Sequence, residues 1–409
     1  PMKVTTLKKY AELIARRGVN IKKGDEVVVT AELDQPKFVE YVVEACYKAG
    51  AKKVTVDFTH QPLQKLHVKY RSLKTLGKVE DWEVARLEHY IDTLPARIYL
   101  ISEDPDGLRG MDREKNAKGA QARSKIIKPL RDRMDNRYKW CIAAVPGKAW
   151  ALKMFPGIRA SAAIEKLWEA ILYTSRADGD DPIAAWDAHN ADIAARCAYL
   201  NSLGIDTLHY TASNGTDFTV GLIDRSEFCG GAEAIIGGEI FNANIPSEEV
   251  YTSPKRGRAE GIVYSTKPLS YNGQLIENFS IRFHEGKAVE VHAEKNEEML
   301  KTIISMDEGA SYLGEVALVP CSSPINQLGY LFYNTLFDEN AVCHLALGEG
   351  YTNTLHGFAD MTREECTAAG INDSMIHEDF MIGAPDLSIV ATLRDGTEKP
   401  IFKDGTWAF

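Results

Sequence analysis

Apolar positions in the first part of the chain come in short runs separated by helical periodicity. DEVVVTAEL (25–33) is one such run, and PKFVEYVVEACYKAG (36–50) follows with apolar residues at helical spacing and a closing glycine. KKVTVDFTH (52–60) is a second run, followed by a long charged stretch of helical character to about residue 90. ARIYLISE (96–103) and YKWCIAAVP (138–146) complete a set of four strands. Strands alternating with helices predict parallel βαβ units, so residues 1–180 are expected to form an open α/β domain with a largely parallel sheet. RADGDDP (176–182) punctuates the chain, and a helix is expected from Ile183 to Leu203 with Gly204 as its stop.

Beyond Gly204 the pattern changes. TLHYTAS, TDFTVGL, AEGIVYST, NFSIRFHEG, KAVEVHAE, EVALVP and LSIVATL are short, rich in β-branched residues and often alternating. Asn214-Gly215 and Asn272-Gly273 mark hairpin turns between some of them. Residues 181–409 therefore read as a β-rich α+β domain built on antiparallel pairing.

Composition narrows the function. Of 409 residues, 44% are hydrophobic and 26% charged, the profile of a globular protein. A formal net charge of −10 argues against a nucleic-acid binder, because phosphate contacts require a basic surface. GLRGMDREKNAKGAQARSKIIKPLRDRMDNRYKW (107–140) is dense in Arg and Lys, but interleaved acids make a solvated helical face the simpler reading than an anion-binding one. No apolar run approaches a membrane span, and the amphipathic start PMKVTTLKKYAELIARRG lacks the apolar core of a signal peptide. Seven scattered cysteines without a CxxC pair suit free thiols, so a cytoplasmic location is expected. There is no Walker A sequence, no GxGxxG after the first strand, no GxSxG and no HExxH.

The chemistry concentrates in the second half. NIPSEEVYTSP (244–254) places Glu248 and Glu249 between two prolines, and LGEVALVP (313–320) places Glu315 at the head of an apolar strand. AVCHLALGEGY (341–351) buries His344 in an apolar run and brings Tyr351 to a glycine-rich exit. SMIHEDFMIG (374–383) sets His377 and Asp379 two residues apart in an otherwise apolar segment, hence on the same face of a strand. Each has an ordinary structural reading. Together they suggest a pair of divalent cations, which carboxylate and imidazole ligands suit and whose charge would offset the cost of burying them. Such pairs use a shared water as nucleophile. His209, His284, His292 and His356 are expected at the surface or in turns.

These stretches, with HYTASNGTDFTVGL (209–222), GEIFNANIPSEEVYTSP (238–254), YLGEVALV (312–319) and LFYNTLFDENAVCHLALGEGY (331–351), resemble the thermophilic aminopeptidase family of aminopeptidases T and S. The likeness runs more loosely through the first half, including AVPGKAWA (144–151). It implies release of N-terminal residues from peptides with a free N-terminus, a homodimer with a shielded cavity, and a two-metal site, whose carboxylate and imidazole donors leave Zn, Co, Mn and Mg all open. It also implies Glu249, Glu315, His344, His377 and Asp379 as ligands, with Tyr351 beside them. Glu339 matches a further acidic position, as ligand or near neighbour. Glu315 is the expected proton shuttle, with Glu248 in reserve, and Tyr351 is expected to stabilise the oxyanion. Another two-metal hydrolase, such as a phosphoesterase using Lys255, Arg256 and Arg258, and a non-catalytic metal-holding scaffold are the competing readings.

Overall fold

A computed structural model describes residues 1–409, which divide into two compact units. One comprises Pro1–Asn190 and Ala232–Ser247, the other Ala191–Gly231 and Glu248–Phe409.

The first unit is built on a parallel sheet. Its strands lie in the order Lys53–Thr59, Glu26–Glu32, Ala96–Ile101, Trp140–Ala144 and Asn244–Ile245. The four strands expected from the apolar runs are all present. The short fifth comes from the returning segment Ala232–Ser247, whose sequence carries no strand-length apolar run. Helix Pro36–Lys48 starts with proline at a position that needs no N–H donor, and it buries Phe38, Val39, Val42 and Cys46 on one face. The N-terminal helix Val4–Leu13 buries Tyr10, Ala11 and Leu13. Tyr10 stacks on Phe38, and its hydroxyl donates to the Ala144 carbonyl at 2.9 Å, so its one polar atom is satisfied inside the core.

The basic stretch forms helix Arg113–Asp132 and the turn after it. Four of its cations pair with carboxylates: Lys118 with Glu114, Arg123 with Glu83, Lys128 with Asp132 and Arg133 with Glu88, at 2.6–3.1 Å. No helix of the chain is long and apolar enough to cross a membrane.

The second unit carries two antiparallel sheets. The larger has nine strands and includes the hairpin Ile205–Thr211/Asp217–Leu222, whose turn holds Gly215 at φ +103°. The smaller has four, in the order Val250–Thr252, Leu313–Leu318, His344–Gly348 and His377–Met381. One continuous apolar core takes in residues of both sheets, among them Leu208, Phe218 and Val220 of the larger and Val316, Leu318, Leu345, Leu347 and Phe380 of the smaller.

Pairing in the smaller sheet decides which side chains share a face. Val250 lies opposite Leu318, Val316 opposite Leu345, and Leu345 opposite Phe380; these residues enter the core. The alternate positions point the other way. There Tyr251 lies opposite Ala317, Ala317 opposite His344, Glu315 opposite Ala346, Ala346 opposite Asp379, and Gly348 opposite His377. Glu249 precedes the first strand with the parity of Tyr251. The polar residues that looked misplaced in apolar runs are thus the second face of one sheet.

Candidate metal centre

His344 is fully buried at the start of strand His344–Gly348, and Glu315 is 2% exposed on its neighbour. The imidazole Nε2 of His344 lies 2.8 Å from Glu249 and 3.9 Å from Glu315. His377 Nε2 lies 3.6 Å from Glu315 and 3.4 Å from Asp379. Helix Thr335–Glu339 ends in Glu339, held at its start by Asn334 accepting from Leu336 N–H. Three groups have ligand atoms mutually within 4.8 Å: Glu249–Glu315–His344, Glu315–His377–Asp379 and Glu339–His344–Asp379. All six residues proposed from the sequence as metal-facing are brought together. Glu248, though buried, belongs to none of the three groups.

Both imidazoles are oriented by backbone carbonyls. His344 Nδ1 lies 3.1 Å from the Val342 oxygen, and His377 Nδ1 lies 2.8 Å from the Glu349 oxygen. A carbonyl can only accept, so each Nδ1 donates to it and each Nε2 is the atom turned to the carboxylates, donating to them in the metal-free protein and able to ligate a cation that displaces that proton. The Tyr351 hydroxyl lies 3.1 Å from His377 Nε2. Its backbone is clasped by Ser253, whose Oγ accepts from Tyr351 N–H at 2.9 Å and donates to the Tyr351 carbonyl at 3.3 Å. Burial, followed by the charges of Glu315 and Asp379, holds the phenol well above its usual range, so it remains a donor.

Electrostatically the cluster is starved of positive charge. Burial, then the neighbouring Glu249 and Asp379, pushes the Glu315 carboxyl up to about 8, and the same causes hold Glu339 well above its ordinary value. Burial opposes charge on His344, but the hydrogen bond and charge of Glu249 outweigh it and raise the imidazole to about 9. Protons gather where cations would sit. Asp379 Oδ1 is buried and makes no hydrogen bond of good geometry, only the 3.4 Å ion-pair contact with His377 Nε2, an arrangement that a bound cation would complete. Oxygen and imidazole donors with no thiolate suit a divalent ion with open positions better than a closed structural zinc site.

Two of the three basic residues that could have favoured phosphate chemistry, Arg256 and Arg258, are engaged. Arg256 pairs with Glu308 at 2.9 Å and stacks on Tyr312, and Arg258 pairs with Asp206 at 2.9 Å. His209, His284, His292 and His356 are exposed, each beside a carboxylate, as expected of surface residues.

Some supporting residues carried no signal in the sequence. Gly314, in the irregular pairing next to Glu315, has room for no side chain. A Cβ there would lie 2.2 Å from the Glu349 carbonyl oxygen, the same atom that orients His377. Asn340 and Ser253 likewise act through bonds that only folding creates.

The family profile described as thermophilic metalloprotease (M29) matches residues 3–407. Aminopeptidase AmpS of Bacillus subtilis is 40% identical over 98% of both chains. Aminopeptidase T of Thermus thermophilus is 39% identical over 98% of both. The structure of wild-type AmpT from Thermus thermophilus superposes with a TM-score of 0.88 at 37% identity, covering 99% of each chain. A profile match across nearly the whole chain, and relatives this similar over their full length, establish that the chain belongs to the M29 thermophilic metalloprotease family.

Proposed function

We propose that the protein is a metal-dependent aminopeptidase whose two divalent cations are held by Glu249, Glu315, His344, His377 and Asp379, with Glu339 as a sixth ligand or near neighbour. The observation that carries this reading is the convergence of these residues on one buried face, with three overlapping donor groups. The named aminopeptidases among its relatives supply the reaction class. Cations at these positions would lower the pKa of a shared water, polarise the scissile carbonyl and accept the free α-amine of the peptide.

The chain's own residues supply the rest. Glu315 and Asp379 each belong to two donor groups, as carboxylates shared between two cations would. Glu315 is the proposed shuttle that carries the water's proton to the departing amine, with Glu248 in reserve. Tyr351 donates its O–H to the developing oxyanion. For this, the hydroxyl must be free of His377 Nε2, as it would be if that nitrogen held a cation. Zn, Co, Mn and Mg all suit these donors. Seven free cysteines support a reducing, cytoplasmic setting, and the family resemblance supports a homodimer.

Metal analysis of the purified protein, with peptide hydrolysis measured before and after chelation, tests the proposal. Activity should vanish on chelation and return with added cation. Peptides with an acetylated N-terminus should resist cleavage, because they offer no amine. Undiminished hydrolysis by fully demetallated protein, or equal cleavage of acetylated peptides, would refute it.

A further inference from the structure

One buried amide joins two of the metal-facing segments. Asn340 has no exposed surface. Its Oδ1 accepts from Glu248 N–H at 2.8 Å, and its Nδ2 donates to the Leu336 carbonyl at 2.8 Å. Its own carbonyl accepts from Ser323 Oγ at 2.6 Å. Glu248 is bonded to Glu249, and Leu336 lies in the short helix that ends in Glu339. The side chain therefore ties together two segments 92 residues apart in sequence, each of which brings one carboxylate toward His344.

Its geometry is demanding. The amide carries its acceptor and its donor on separate atoms and does not titrate, which a hydroxyl or a carboxyl of similar length does not reproduce. An apolar replacement would leave the buried Glu248 N–H unpaired. By contrast, the group Glu315–His377–Asp379 has other supports. His377 is oriented by the Glu349 carbonyl, and the strand entry is held by Asp307, which accepts from Met375 N–H at 2.6 Å and Ser374 Oγ at 2.7 Å.

We infer that Asn340 is a positioning residue that sets the placement of Glu249 and Glu339 about His344, and thereby the affinity of one cation but not of the other. The inference rests on the two-cation reading above. If Asn340 only supported the loop, its loss would lower stability and leave the two binding equilibria alike.

Cobalt(II) titration of metal-free protein, followed by visible absorption and calorimetry, separates these cases. Wild type should take up two cobalt ions; failure to do so would overturn the two-cation reading rather than the role of Asn340. Asn340→Ala should weaken one equilibrium by about tenfold or more, as removal of a support behind a ligand commonly does, and leave the other within about twofold. Asn340→Asp keeps the oxygen facing Glu248 and should recover part of the loss. Ser323→Ala, which removes only the bond to the Asn340 carbonyl, should leave both equilibria near wild type. Should Asn340→Ala fail to fold, Asn340→Asp carries the test, with a selective loss of about threefold or more expected. Equal weakening of both ions, no change in either, or an Asp variant no better than a folded Ala variant would overturn the assignment.

Discussion

At the scale of single residues, the centre depends on atoms whose orientation is set from behind. His377 shows this best. Its Nδ1–H donates to the Glu349 carbonyl, which leaves Nε2 for the carboxylates and for Tyr351. Gly314 lies against that same carbonyl with no space for a Cβ. Gly314→Ala should therefore cost about 1–3 kcal/mol in thermal unfolding through overpacking, and it should weaken metal retention because His377 loses its anchor. Unaltered metal content in the folded variant would show that the carbonyl tolerates displacement. Tyr351→Phe separates catalysis from binding. It removes the proposed oxyanion donor, so kcat should fall by about 10²–10³, while metal content measured by elemental analysis stays at the wild-type level. Unchanged turnover would remove Tyr351 from the chemistry.

At the scale of elements, the four-stranded sheet divides labour between its faces. Leu345 enters the core and Ala346 faces the acidic cluster between Glu315 and Asp379. Adjacent substitutions should then have opposite signatures. Leu345→Ala should cost about 2–5 kcal/mol of stability in denaturant unfolding, with metal stoichiometry preserved at temperatures where it remains folded. Ala346→Leu should change stability less and abolish metal uptake, since the extra methylenes occupy the space between the carboxylates. If both variants lost metal in proportion to stability, the two-faced reading of the sheet would fail. The sequence marked Glu315 as an acid at the head of an apolar strand, Leu313–Leu318, every residue of which is buried. The pairing register was not readable there, because it depends on partners far along the chain.

At the scale of the whole molecule, charge balance links metal binding to folding and to pH. In metal-free protein, Glu315 is raised to about 8 by burial and neighbouring charge, and His344 is raised to about 9 against the opposing effect of burial. Groups raised on folding bind more protons folded than unfolded. Their stabilisation is complete below the unfolded-state values and is lost as pH rises through the folded ones. Metal-free protein should therefore lose thermal stability as pH rises from about 5 to about 9. Cations compete with those protons, so metal affinity should rise across the same interval and binding should release protons. Calorimetry in buffers of different ionisation enthalpy measures that release. Affinity independent of pH would contradict the picture of carboxylates and imidazoles protonated in place of metal. Bound cation should also raise the melting temperature by mass action, most clearly at alkaline pH.

Local chemistry along the chain determined much of this protein. The parallel strands of the first unit are continuous apolar runs, and the β-rich second half announces itself through alternation and Asn-Gly turns. His377 and Asp379 were recognisable because two ionisable groups at strand spacing in an apolar segment demand compensation. Only the tertiary structure decided that Glu249, Glu315, His344, His377 and Asp379 share one face. The same holds for the return of Ala232–Ser247 to the first unit as its fifth strand, and for the bonds by which Asn340, Ser253 and the Glu349 carbonyl hold the centre. The physical reason is range. Propensity and periodicity act over a few residues and are written into them, whereas register, burial and the direction of a backbone carbonyl are set by segments distant in sequence and come into being only when the chain closes on itself.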